Sequence, residues 1–373
     1  MTNYLTRYCT KHSIFILTLM GLMGATGLPA TASDAFGTPF SNNGFEKDDW
    51  QVVCDNTLTC RAAGYQDETT ETKPASIMLV AKPKVALPEG YVKLIDDNRN
   101  KPQTIQLWLN GKNYGNLSPK LQLTSQQTQQ LLNSADNNLS IVLKSPKMTW
   151  QISDKGMNAV LLKLDEVQGR VGTKLALVSK NNPNLQTPKD QRPQPIIHKA
   201  YAYPDDTRHS LTPAKKAYFN NNINKWININ AKQFIGSKDS MGECELINPA
   251  SEQSQNYKSE TFEWTFSPID ANNTLASHPC WRAAYNEGYG YWLINNAKPN
   301  QPQLITTSGI SYANGQISSA SKGRGIGDCW SGTVWTWNGK TFVKSSELTT
   351  GMCRGFEGGA WELPTYVTKV VKN

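Results

Sequence analysis

A glycine-rich stretch near the C-terminus, KGRGIGDCWSG (322–332), is the first place where residue types and spacing suggest chemistry. Glycine-rich loops with nearby cations bind phosphate when a strand precedes them and a helix follows, because the helix N-terminus attracts the anion. Here the glycines follow the pattern G-x-G-x-G, Asp328 stands where G-x-G-x-x-G has its last glycine, and a hairpin pattern follows. Because Asp328 would repel a phosphate, we interpret the stretch as a tight turn that displays Lys322 and Arg324.

A histidine beside a cysteine and three carboxylates are the other groups that could carry out catalysis. His278 lies two residues before Cys280, and it could activate a thiolate only if that cysteine is free. Asp328, Glu357 and Glu362 lie in the C-terminal part of the chain and could converge as a carboxylate pair for glycoside hydrolysis. The ordinary alternative for each acid is solvation at the surface or hydrogen bonding within a turn.

Other catalytic and metal-binding patterns are absent from the sequence. There is no G-x-S-x-G nucleophile elbow, and neither C-x-x-C nor H-x-x-x-H spacing occurs. We therefore predict no catalytic residue, no metal site and no cofactor.

Residues 1–32 have the pattern of a secretion signal. Arg7 and Lys11 precede an apolar stretch at 13–28, and the small residues ATA follow at 30–32. The apolar stretch is shorter than the about 20 residues that a spanning helix needs. We therefore expect cleavage after this segment, no transmembrane anchor in the mature chain, and a periplasmic location or an association with the outer surface.

The cysteines predict disulfide bonds. Cys9 would leave with the signal, and the six that remain are an even number in an exported chain. Six cysteines allow 15 pairings. Pairing of neighbours along the chain is the pattern we expect, which gives Cys54–Cys60, Cys244–Cys280 and Cys329–Cys353.

Composition and charge indicate a folded protein with an acidic partner. The chain is 38% apolar and carries a formal net charge of +8, which suits an acidic envelope polymer or an envelope protein. Nucleic acid is not expected, because the chain is exported and has no basic run. A disulfide between the last two cysteines would bring four residues together as a candidate ligand edge, namely Lys322, Arg324, Trp330 and Arg354.

The segment 33–180 alternates strand patterns with two helix patterns. Thr124 and Gln127 have the spacing of a capping box at the start of a short helix. A second helix has an apolar stripe from Met157 to Val171, with Asp154 expected as its cap and Gly172 as its stop. Strands with one or two helices predict an antiparallel α+β domain.

A proline-rich linker without periodicity is expected at 181–211, followed by a second domain at 212–373. This domain begins with a helix, because Thr212 can cap it and Pro213 suits its first position. The remainder has strand patterns, and Asn338-Gly339 between aromatic residues predicts a two-residue type I′ turn. The expected fold class is thus α+β and mostly β, with a C-terminal β-rich domain stabilised by disulfides.

Three motifs carry a family resemblance, namely DDWQVVCDNTLTCRAAGYQ (48–66), GRGIGDCWSGTVWTWNGKTF (323–342) and MCRG (352–355). Together they resemble the exported bacterial proteins grouped as domain of unknown function 1176, over nearly the whole mature chain. The N-terminal half is also similar to invasion-associated locus B proteins, through Trp50, Cys54 and the later helix pattern. These resemblances imply a periplasmic or surface location and a β-rich fold, and they imply no activity.

The function expected from these observations is a non-catalytic binding module of the envelope. The alternative is a carboxylate-dependent hydrolase of the cell wall or of a polysaccharide. A role in adhesion rests on the locus B similarity alone.

Overall fold

Antiparallel strands dominate the computed structural model, which confirms the mostly β fold class. The model describes residues 44–69, 73–96, 104–135, 138–178, 187–204, 209–229, 231, 243–257 and 259–372. The expected signal at 1–32 lies outside the described residues. Among the helices that are described, none is long and apolar enough to cross a membrane.

The N-terminal half contains two antiparallel sheets around one apolar core. The first is a five-stranded meander in chain order, made of β1 (Phe45–Lys47), β2 (Trp50–Cys54), β3 (Cys60–Tyr65), β4 (Ala75–Ala81) and β5 (Glu89–Leu94). The second has the order β7-β6-β8-β9 and consists of β6 (Gln106–Leu109), β7 (Lys112–Asn116), β8 (Ile141–Lys144) and β9 (Thr149–Ile152). Buried side chains of both sheets form a single cluster that includes Trp50, Leu107 and Trp150.

Two helices complete this half, and their ends test the capping predictions. Helix α1 (Ser125–Asn133) begins with the predicted capping box of Thr124 and Gln127. Helix α2 (Met157–Gln168) follows Gly156 and ends at Gly169, both in the left-handed conformation, so the expected cap and stop are wrong. Asp154 instead accepts a hydrogen bond from the Leu139 backbone amide at 2.6 Å.

The described part of the predicted linker is held against the N-terminal half. The Gln191 side chain donates to the Thr57 carbonyl at 2.9 Å, and the Arg192 amide donates to the same carbonyl at 3.1 Å. Further along, β10 (Ile196–Lys199) pairs in parallel with β20 (Lys369–Lys372). The proline-rich segment is therefore a strap with its own short strand.

The C-terminal half begins with α3 (Pro213–Trp226), where the Thr212 hydroxyl caps the helix as predicted. A 3-10 turn (Glu245–Ile247) and α4 (Glu252–Asn256) follow. One sheet consists of β11 (Thr265–Pro268), β12 (Asn273–Arg282), β13 (Glu287–Asn295) and β14 (Gln303–Gly309). The other consists of β15 (Ser311–Ala313), β16 (Gln316–Lys322), β17 (Trp330–Trp337), β18 (Phe342–Thr349) and β19 (Leu363–Val367).

The expected turn at Asn338-Gly339 is a four-residue connection. Trp337 faces Phe342 in the register, and the Asn338 side chain accepts from the amides of Lys340 and Thr341, both at 2.9 Å. The two-residue turns with positive φ at both positions occur instead at Asn110-Gly111 and Asn314-Gly315. Asn338-Gly339 therefore predicted the position of the hairpin correctly. The connection is longer than the predicted two residues because the Asn338 side chain bonds to the amides of Lys340 and Thr341.

The described residues of the two halves are in direct contact and belong to one compact unit. A shared apolar cluster contains Ala63 and Tyr65 from β3 and Phe356 and Ala360 from the segment after the last cysteine. Polar contacts surround this cluster, with hydrogen bonds from Trp361 to Ser76, from Lys93 to Gly359, and in both directions between Asn56 and Val367.

A buried ion pair provides a test of the N-terminal core. Arg170 and Asp165 are fully buried and 3.4 Å apart, and Asp165 also accepts from the amides of Leu177 and Val178. Arg170→Met should lower the free energy of unfolding in urea by about 3–5 kcal/mol, because it leaves a buried carboxylate without its counter-charge. Lys163→Met removes the more exposed pair with Glu166 and should cost less than about 1 kcal/mol. Equal losses would contradict this.

Candidate functional site

The glycine-rich stretch forms a closed loop between β16 and β17. The Gly323 amide donates to the Cys329 carbonyl at 2.9 Å, and the Gly327 amide donates to the Arg324 carbonyl at 3.0 Å. A side chain at Gly323 would lie 2.5 Å from the Cys329 sulfur, and Gly327 has a φ of +72°. These two glycines serve close approach to a disulfide and a left-handed turn, as the sequence predicted.

The three predicted disulfides are present, and one of them anchors this loop. Cys54–Cys60 closes the turn between β2 and β3, and Cys244–Cys280 ties the 3-10 turn to β12. Cys329–Cys353 joins the start of β17 to the segment after β18. The pairing follows nearest neighbours along the chain.

Arg324 and Asp328 form a bidentate ion pair within the loop at 322–332, which we call the clamped loop. Arg324 Nε donates to Asp328 Oδ1 at 2.8 Å, and its Nη2 donates to Oδ2 at 2.5 Å and to the Cys353 carbonyl at 2.9 Å. The Gly355 amide donates to Asp328 Oδ2 at 2.7 Å. The guanidinium thus holds the pKa of the buried Asp328 carboxyl below its usual range.

Arg354 does not contribute to an exposed edge, contrary to the sequence interpretation. Its side chain is 8% exposed and forms ion pairs with Asp49 at 3.0 Å and Glu68 at 3.3 Å. Glu68 also lies 3.2 Å from Arg324, so this carboxylate of the N-terminal half binds both arginines. The cations that the sequence grouped as a ligand surface are therefore largely committed to the contact between the halves.

Lys322 and Trp330 lie together as predicted, on the outer side of the loop. The ammonium group of Lys322 is 5.3 Å from the centre of the Trp330 ring. The indole donates to the Gly327 carbonyl at 2.8 Å, and Asn286 makes two hydrogen bonds to the Lys322 backbone. This fixes the base of the loop on two sides.

Sequence reasoning missed the most exposed group of the loop. Ile326 is 74% exposed, the highest value among the large apolar side chains that the structure describes. Tyr285, 46% exposed, packs near Gly325 of the same loop and donates to the Gly323 carbonyl at 3.4 Å. The signal in the sequence was an isoleucine between two glycines in an otherwise polar turn.

The other catalytic hypotheses do not assemble in the described residues. Cys280 is in a disulfide, so the nucleophile beside His278 is wrong, and burial lowers the pKa of this histidine. Asp328 has both oxygens occupied, and its lowered pKa is unsuited to a general acid. Glu357 and Glu362 are exposed.

The same loop contains a group of possible metal ligands, Asp328, Cys329 and Cys353. The two sulfurs are bonded to each other, and a metal ligand must be a thiolate. The group therefore does not fit a metal ion in this state.

The lowered pKa of Asp328 predicts a specific pH dependence. A carboxyl with a depressed pKa in the folded state stabilises the fold above its unfolded pKa of about 3.9, and this stabilisation is lost as the pH falls through the folded value. The difference in unfolding free energy between wild type and Asp328→Asn should therefore be full at pH 7, begin to shrink near pH 4, and disappear only below the folded pKa, which is lower still. Urea titrations at several pH values measure it. Glu357→Gln, an exposed carboxyl of the same region, should leave the unfolding free energy unchanged, and a pH-independent deficit in Asp328→Asn would contradict the assignment.

The comparisons with known proteins agree with the resemblance noted in the sequence. Residues 44–368 match the model of a family described as protein of unknown function (DUF1176). No curated protein and no solved structure matches the chain. The similarity of the N-terminal half to invasion-associated locus B proteins stays a prediction. The family match covers both halves, the strap between them and the clamped loop, and the chain therefore belongs to the DUF1176 family.

Proposed function

We propose that this protein is an exported, non-catalytic binding module of the cell envelope that docks a protein partner through the loop at 322–332. The observation that carries the proposal is Ile326, an apolar side chain held out into solvent by a loop that is fixed from within.

Export is supported by the cysteines and by the expected signal. Each of the six cysteines in the described residues is in a disulfide, and stable disulfides form in oxidising compartments such as the bacterial periplasm. The pattern of residues 1–32 independently predicts secretion.

Rigidity is what favours the loop as a binding element. An exposed loop normally loses conformational freedom on binding, and that loss weakens affinity. Here the disulfide, the bidentate pair and the indole of Trp330 fix the loop before any partner arrives. Apolar anchors that insert into a pocket of a partner commonly dominate the energy of an interface.

The charges favour a protein partner over an acidic polymer. Of the three cations in the predicted ligand edge, Arg324 and Arg354 are paired with carboxylates. Lys322 has no carboxylate partner among the described residues and contacts the Trp330 ring instead. One lysine near the Trp330 ring, on the loop that exposes Ile326, suits an apolar pocket with an acidic rim better than a polyanion, which needs several free cations. The hydrolase alternative gains no support, because Asp328 is committed to Arg324.

Site-specific photocrosslinking in intact cells tests the docking role. A benzophenone amino acid at position 326 should give an ultraviolet-dependent adduct with a discrete envelope protein, and the same probe at the exposed Val85 should not. With the purified partner, Ile326→Asp should weaken binding by roughly 30-fold, as expected for an anchor worth about 2 kcal/mol. Equal adducts at both positions, or unchanged affinity in Ile326→Asp, would contradict the proposal.

Location is tested separately. Cells producing the whole chain should release a form that starts at Ser33 on osmotic shock, and thiol labelling under denaturing conditions should find no free cysteine in it. A full-length chain retained in the cytoplasm with reactive thiols would rule out the exported state.

A further inference from the structure

A second feature, remote in sequence from the clamped loop, is a long cleft beside helix α3. Two cavities of about 780 Å³ and 280 Å³ lie next to each other, between α3 and the segment 260–268, which includes β11. Lys216, Glu263 and Trp264 line both cavities, so the two are parts of one elongated cleft. The larger cavity alone is within the range of ligand pockets, which is about 300–1,000 Å³.

One face of α3 supplies polar groups to the cleft. Lys216, Asn220 and Asn224 are spaced by four residues, which places them along a single side of the helix. Glu263 faces them from the other wall. The side chains of Lys216, Asn220 and Glu263 make no hydrogen bond to any residue that the structure describes, so their donors and acceptors are available to a ligand.

Aromatic rings form the remaining walls. Trp264 is fixed by a 3.0 Å hydrogen bond from its indole to Asn224, and its ring stacks on Phe266 at 6.3 Å. In the smaller cavity, Tyr203 and His209 stack in parallel at 3.9 Å. Tyr257 lines the larger cavity. The electron-rich faces of such rings attract weakly positive C–H groups.

The polar side chains of α3, together with the aromatic rings, indicate which class of ligand the cleft could bind. An aromatic wall opposite amides and a carboxylate matches a sugar ring, which has C–H groups on its faces and hydroxyl groups at its edge. Glu260 is ion-paired with Arg282 at 2.6 Å, and Glu263 balances Lys216, so the cleft has no excess of positive charge to attract a polyanion. Burial lowers the pKa of His278 on the inner wall, so this side chain stays uncharged at neutral pH.

We propose that the cleft between α3 and segment 260–268 binds a neutral glycan chain. The elongated shape accommodates several sugar units in succession, with Asn220 and Glu263 as hydrogen-bonding residues and the half-buried rings of Tyr203 and Tyr257 as stacking surfaces. Trp264 lines both cavities but is only 7% exposed. This binding goes beyond the docking role of the loop and does not rest on it, because the cleft and the loop share no residue.

Calorimetric titration of the purified protein tests the proposal. The probes are chitotetraose and cellotetraose as neutral chains, polygalacturonate as an acidic chain, and an unstructured tetrapeptide. At least one neutral chain should bind saturably with a Kd below about 1 mM. Binding should also change the fluorescence of tryptophan, since Trp264 lies in the wall.

Matched variants locate the binding. Asn220→Ala and Glu263→Gln should each weaken it about tenfold or more, while Asn221→Ala, an exposed asparagine of the same helix outside the cleft, should bind as wild type. Ile326→Asp should also bind glycan normally, which separates this proposal from the docking role. The proposal is overturned if neither neutral chain binds, if polygalacturonate or the peptide binds more tightly, or if Asn220→Ala and Glu263→Gln match Asn221→Ala.

Discussion

The carboxylate of Glu68 is the contact that ties the two halves and the loop at 322–332 into one network of charges. It belongs to the N-terminal half and lies 3.2 Å from Arg324 and 3.3 Å from Arg354, both in the C-terminal half. Arg354 continues to Asp49, and Arg324 continues to Asp328 and the Cys353 carbonyl. The charges alternate in sign along this network, with Asp49 and Glu68 from the N-terminal half and Arg354, Arg324 and Asp328 from the C-terminal half. Arg354 and Asp49 are buried, so removing either one leaves a buried charge without its partner.

The same network decides what the loop can do. Asp328 is the acid that sequence reasoning chose for hydrolysis, and its two oxygens are both taken by Arg324 and by a backbone amide. Arg324 is the cation chosen for ligand binding, and three acceptors already surround it. With its charges satisfied internally, the loop presents Ile326 as its distinctive external group. The surface there combines the exposed Ile326 with Lys322, which has no carboxylate partner among the described residues.

The sequence predicted an interaction correctly where the two partners are close together in the chain. The capping box at Thr124, the cap at Thr212 and the disulfide pairs follow from spacing along the chain, and the structure contains them. Prediction failed where a distant segment competes for the same group. Asp154 bonds to Leu139 rather than to its helix, and Arg354 pairs with Asp49, about 300 residues earlier. The α3 cleft could not be anticipated, because its walls come from stretches that are far apart in the chain and share no periodicity.

The parallel pairing of β10 with β20 has a consequence for how the molecule forms. Ile196 lies opposite Lys369 in this pairing, so the β10 part of the strap can pair only once β20, at the far end of the C-terminal half, is in place. Contacts between such distant segments carry a large loop-closure entropy and are made late in folding. The N-terminal sheets, built from neighbouring strands, need no such wait. From this topology we expect the N-terminal sheets to fold early and the pairing of β10 with β20 to form late.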